Sequence, residues 1–122
     1  DTRIEAGVAF RYRAPMSDAQ PLLTLTEQDG VIVATGEVDA SSVDALAARL
    51  GALEGAQAVR LDLAGVEFMD SAGLRTLIAA HQSCADAGGA LVLLNPSRAV
   101  ARLFEVAGVT EYFTIEGEAP EA

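Results

Sequence analysis

The sequence predicts an α/β fold of α+β-like character, a single domain with a mixed sheet in the order β-β-α-β-α-β-α-β. Three observations predict it. Leu23 and Leu25 alternate with Thr24 and Thr26, the period of a half-buried strand. Asp29-Gly30 separates that run from Val31-Ile32-Val33, and this dipeptide tolerates the positive φ angles of a tight hairpin turn. Beyond the hairpin, runs with apolar residues at helical spacing alternate with short runs rich in Val, Leu and Ile. A hairpin followed by strand–helix–strand units implies antiparallel and parallel neighbours in one sheet, with helices over its buried face or faces.

Residues 1–20 lack sustained periodicity and end in a polar stretch around Pro15, Ser17 and Asp18. They read as an N-terminal arm or linker, with Met16 a candidate natural start. The domain is expected over residues 21–116, followed by an acidic tail over 117–122. The second strand should run to Glu37 or Val38. Ser41 and Asp44, three apart, form a plausible capping pair for a first helix whose apolar stripe is Val43, Leu46, Ala47, Leu50 and Leu53. Ala58 to Leu63 alternates as a third strand, and Ala64 to Asp70 reads as a connection. A second helix begins near Ser71, with Leu74, Leu77, Ile78, His81 and Ala85 inside and Gly88-Gly89 as its left-handed stop. Ala90 to Leu94 is nearly all apolar, as in a strand covered on both faces. Asn95-Pro96-Ser97 opens a third helix with Val100, Leu103, Phe104 and Ala107 on one side; Gly108 closes it. Tyr112 to Ile115 is a short last strand.

Composition excludes several function classes. Eighteen acidic residues against eight basic ones give a formal net charge of −10, and every base is an arginine. Binding nucleic acid or an anionic membrane requires clustered bases, and Arg49, Arg60, Arg75, Arg98 and Arg102 are scattered among more numerous acids. No apolar run approaches the roughly 20 residues of a membrane-spanning helix. One cysteine, Cys84, and one histidine, His81, cannot build a four-ligand zinc site of those types. No cofactor or metal is expected.

The chemistry-bearing segment is Val66 to Leu74, where a strand gives way to a helix with Asp70-Ser71 at its mouth. Ser and Asp are ordinary N-caps, and on those facts alone capping is the commoner role. A nucleophilic serine needs an adjacent base. His81 lies ten residues further along the same helix, about 15 Å away at 1.5 Å per residue. There is neither a Gly-x-Ser-x-Gly elbow nor a phosphate loop, which would need a lysine. No catalytic residue is assigned, and the chain is not expected to be an enzyme.

Phe68-Met69-Asp70-Ser71-Ala72-Gly73-Leu74 resembles the phosphorylation-site segment of bacterial anti-sigma factor antagonists, which are built on STAS domains. Thr35-Gly36-Glu37-Val38-Asp39 resembles the family's Gly-Glu-hydrophobic-Asp signature, and Ala99 to Gly108 resembles its third-helix segment. Together these stretches span the predicted domain in register. The resemblance implies a STAS-type fold and a partner switch in stress-response transcription. In such a switch the unphosphorylated protein binds an anti-sigma factor with serine kinase activity and so releases a sigma factor. Phosphorylation of Ser71 breaks the complex and a serine phosphatase resets it. Asp39, Asp70, Ser71, Ala72 and Gly73 are the implied partner-binding residues. Ala72 stands where the family often has a second serine. The implied setting is cytoplasmic, with a monomer when free. The rival reading is a non-switching STAS accessory subunit of a membrane transport system. At a helix start, the dipole and free N–H groups would tolerate a phosphate, with a benefit of about 0.3–1 kcal/mol.

Overall fold

The computed structural model describes residues 10–12, 22–53 and 58–117. The element order is β1 (Phe10–Tyr12), β2 (Leu23–Gln28), β3 (Val31–Val38), α1 (Val43–Gly51), β4 (Ala58–Met69), α2 (Ser71–Asp86), β5 (Ala90–Leu94), α3 (Arg98–Ala107) and β6 (Thr114–Glu116). Among the described residues the sheet has six strands, and their order across it follows the chain from β1 to β6. The first two pairings are antiparallel and the remaining three are parallel. The hairpin turns where expected, with Asp29 and Gly30 at φ 53° and 81°.

β1 lies within the stretch read as an arm and pairs with β2, Phe10 opposite Leu25. Three residues are too few to show an alternation, so the sequence pattern did not reveal it. The rest of residues 1–20, and 118–122 of the expected tail, lie outside the described residues.

Three parallel crossovers step across the sheet in the same direction. Because such crossovers share one hand, their helices cover the same face. Strand register agrees. Leu25 lies opposite Ala34, Ile32 opposite Leu61, Val59 opposite Leu91 and Leu61 opposite Leu93, so these buried residues share one face. They form one cluster with Leu46 and Leu50 of α1, Leu74, Leu77 and Cys84 of α2, and Val100 and Phe104 of α3. Ala45 takes the buried place expected of Ala47 in α1, and Ala85 and Ala107 are exposed. The opposite face carries Thr24, Thr26, Thr35, Arg60, Asp62, Thr114 and Glu116, with Val92 buried among them. Arg60 pairs there with Glu116 at 3.6 Å, and Asn95 donates to Asp62 at 3.1 Å.

β4 is twice the length that the alternation suggested, running through most of the expected connection to Met69. Two register shifts against β3 explain the difference, one between Val33 and Thr35 and one between Gly36 and Glu37. Each inserts an extra residue in β4 and slips the period by one. The chain satisfies the displaced backbone groups locally. Asp62 accepts from the Ala64 N–H at 2.9 Å, the Ser97 N–H donates to Leu63 O at 3.3 Å, and the Ser97 hydroxyl donates to Val66 O at 2.6 Å. The same hydroxyl caps α3 by accepting from the Val100 N–H at 3.2 Å. Gly108, at φ 75°, ends α3 as expected.

Candidate functional site

The second register shift positions the site. It realigns Val38 with Met69, so β3 and β4 end side by side and their next residues, Asp39 and Asp70, follow from neighbouring strands. The Asp70 N–H donates to Val38 O at 3.1 Å. Gly73, buried in the first turn of α2, completes this junction. A Cβ on it would stand 2.7 Å from the Met69 side chain, 2.8 Å from the Val38 side chain and 3.1 Å from Val38 O. Only a residue without a side chain lets the helix start this close to the strand end.

Asp70 is the N-cap of α2. Its backbone is extended, and its Oδ1 accepts from the N–H groups of Ala72 at 2.9 Å and Gly73 at 3.1 Å. Ser71 is the first helical residue. It is exposed, and its hydroxyl has no hydrogen-bond partner among the described residues. The capping role is thus filled by Asp70, which leaves the adjacent hydroxyl unused. One sequence expectation changes here. Two of the N–H groups expected to be free for a phosphate are already engaged, so a phosphate on Ser71 meets the helix dipole without those donors. Replacing Asp70 with alanine frees both, at a cost of about 1 kcal/mol of stability by urea unfolding.

Asp39 anchors the loop between β3 and α1. Its Oδ1 accepts from the Ser41 N–H at 2.9 Å and the Ser41 hydroxyl at 2.7 Å. Its carbonyl accepts from the N–H groups of Ser42 and Val43, both at 2.9 Å. The expected Ser41–Asp44 pair is not the cap. Ser42 occupies that position, and its side chain turns inward instead. The buried Ser42 hydroxyl donates to Glu37 O at 2.9 Å and accepts from the Asp39 N–H at 3.1 Å. Sequence reasoning missed this residue. The adjacent Ser41-Ser42 pair was the available signal, since two hydroxyls after a strand-ending Asp can serve a turn and the core separately.

The structure therefore brings Asp39, Asp70, Ser71, Ala72 and Gly73 to one rim of the sheet. Ser71 is exposed, Asp39, Asp70 and Ala72 are half-buried, and Gly73 is buried. His81 is further along α2, packed against Tyr112 with ring centroids 4.5 Å apart and planes tilted by 51°, and edge-on to Phe113 at 5.8 Å. Among the described residues no group of three or more His, Cys, Asp or Glu side chains could hold a metal ion. None of their helices is long and apolar enough to cross a membrane.

The mixed sheet with helices on one face, and a helix mouth at the end of its parallel strands, define a single α/β domain of STAS type. The chain belongs to the STAS domain family, whose model matches residues 20–122. It is 32% identical over 94 residues to the anti-sigma-B factor antagonist of Bacillus subtilis, a match spanning 75% of this chain and 85% of that protein. It is 33% identical over 92 residues to the anti-sigma-B factor antagonist of Listeria monocytogenes, covering 71% and 81%. The crystal structure of an anti-sigma factor antagonist from Mycobacterium paratuberculosis superimposes with a TM-score of 0.62 at 27% identity, over 81% of this chain and 85% of that one.

Proposed function

We propose that the chain is an anti-sigma factor antagonist that acts as a phosphorylation-controlled partner switch in the cytoplasm. The unmodified form, a monomer when free, binds a kinase-type anti-sigma factor through the rim formed by Asp39 and Asp70 to Gly73. Phosphorylation of Ser71 by that partner separates the two, and a serine phosphatase restores binding. The observation that carries this reading is the Ser71 hydroxyl, exposed at the helix mouth while Asp70 does the capping. The other serines near strand ends are less suitable acceptors. Ser42 and Ser97 are buried, and the Ser41 hydroxyl donates to Asp39. The chain contributes a surface and an acceptor oxygen, and the transfer chemistry belongs to its partners.

The test is incubation with a purified kinase-type anti-sigma factor of the source organism and ATP, followed by peptide mass spectrometry. One phosphate is expected, on Ser71. Ser71→Ala should take up none, while its Kd for the unreacted partner stays within about twofold, as for a surface change that removes no contact. Phosphate on Ser41, Ser42 or Ser97 would relocate the switch.

A further inference from the structure

We infer that Phe68 is the anchor of the partner interface, entering an apolar pocket whose rim carries arginine or lysine. This rests on the docking surface proposed above and names the chemistry that surface recognises. The bulge at the end of β4 is the starting observation. Val66 and Met69 both point into the core, so the two residues between them, Glu67 and Phe68, both face solvent. Phe68 is 47% exposed. The other large apolar side chains exposed to a similar degree or more, among the described residues, are Val106 and Tyr112. Tyr112 has packing of its own, against His81 and Phe113. Phe68 makes no aromatic contact with any described residue.

Its neighbours along β4 and across on β3 are acidic; the bases of the adjoining helices are Arg75, one turn beyond Ser71 on α2, and Arg98, next to the Ser97 that bonds Val66 O. Glu37 is its direct neighbour on β3, Glu67 precedes it, and Asp39 and Asp70 lie just beyond the two strand ends. None of these four carboxylates forms an ion pair among the described residues, and neither residues 31–48 nor 61–74 contain a base. A half-exposed phenyl ring within a carboxylate border complements an apolar pocket bordered by cations. Aromatic residues at the centre of such borders are frequent binding hot spots. Phe68 is three residues from Ser71, so their Cα atoms are at most about 11 Å apart. One interface of ordinary size, about 800 Å² per partner, covers both. Phe68 thus provides affinity and Ser71 provides control.

Photo-crosslinking in the source cells tests this, with p-benzoylphenylalanine placed at position 68 or, separately, at position 72. Position 68 is expected to crosslink to the protein captured at position 72. The linked peptide should lie in an apolar pocket bordered by Arg or Lys. With that protein purified, Phe68→Ala should raise Kd tenfold or more by calorimetry, Phe68→Leu should recover most of the loss, and Val106→Ala should have no effect. Phe68 is exposed, so unchanged thermal melting of Phe68→Ala separates affinity from folding. A crosslink at 72 without one at 68, or a Phe68→Ala Kd within twofold of the parent, overturns the anchor and leaves the Ser71 surface standing. A pocket without cations overturns the charge complementarity. No crosslink at either position removes both readings.

Discussion

Phosphorylating Ser71 is expected to weaken binding to the anti-sigma partner by on the order of a hundredfold or more, measured by calorimetry with stoichiometrically modified protein. The expectation follows from where the group would sit. Asp70 already occupies the N–H groups of Ala72 and Gly73. A dianion on the neighbouring oxygen therefore finds the N–H groups of Ala72 and Gly73 already taken and relies largely on water. A partner packed over the rim has to strip that water away, and any cations bordering its pocket are already matched to the carboxylates of Glu37, Asp39, Glu67 and Asp70, so the extra buried charge costs several kcal/mol. Ser71→Asp carries half the charge on a shorter stem and should show a smaller loss, about tenfold. Tighter binding of the phosphorylated form would mean that a cation of the partner receives the phosphate, and would remove the release mechanism.

Gly36→Ala should be the most damaging small substitution at the rim, lowering stability by about 3 kcal/mol or more and Tm by about 10 °C or more. Two costs coincide at this position. Gly36 lies at φ 109°, a region that L side chains rarely adopt, and a Cβ there would stand 2.2 Å from the carbonyl oxygen of Leu22. That oxygen cannot simply retreat, because it accepts the Glu37 N–H at 2.7 Å, the bond that fastens the start of β2 to β3. Gly30 gives the comparison. Its φ is 81° but nothing lies within 4 Å of a Cβ there, so Gly30→Ala should cost only about 1 kcal/mol. Equal losses at the two glycines in urea unfolding would show that the close approach to Leu22 contributes nothing.

Hydrophobic period made the strands and helices legible as far as it stayed regular. The hairpin at Asp29-Gly30, the start of α2 at Ser71 and its stop at Gly88 follow from local chemistry and stand in the structure as expected. The period is interrupted in β4. Its two bulges shift inward and outward positions, so Val66 and Met69 look like loop residues although both are buried. A bulge is set by the partner strand, which a single run of residues does not display. At the candidate site, the residue types of Asp70-Ser71 and Asp39 announced a helix mouth and a turn, and the partner-binding role came from the resemblance of residues 68–74 and 35–39. Which of Asp70 and Ser71 caps was not legible, since either oxygen can serve. The exposure of Phe68 was hidden for the same reason as the strand end: its direction depends on the extra residue at Glu67.

The junction of α2 with β3, where Gly73 rests against Val38 and the Asp70 N–H donates to Val38 O, leaves the helix mouth little room to move. A modification beside this seat is expected to act through surface charge and bulk rather than through a second backbone shape. Under the proposed cycle the protein therefore sets no threshold and contributes no cooperativity of its own. At steady state the fraction able to bind is the rate constant for removing the phosphate divided by the sum of the rate constants for removal and addition. Sharpness in the cellular response must then come from the enzymes that write and erase the mark, or from competition for a limited partner.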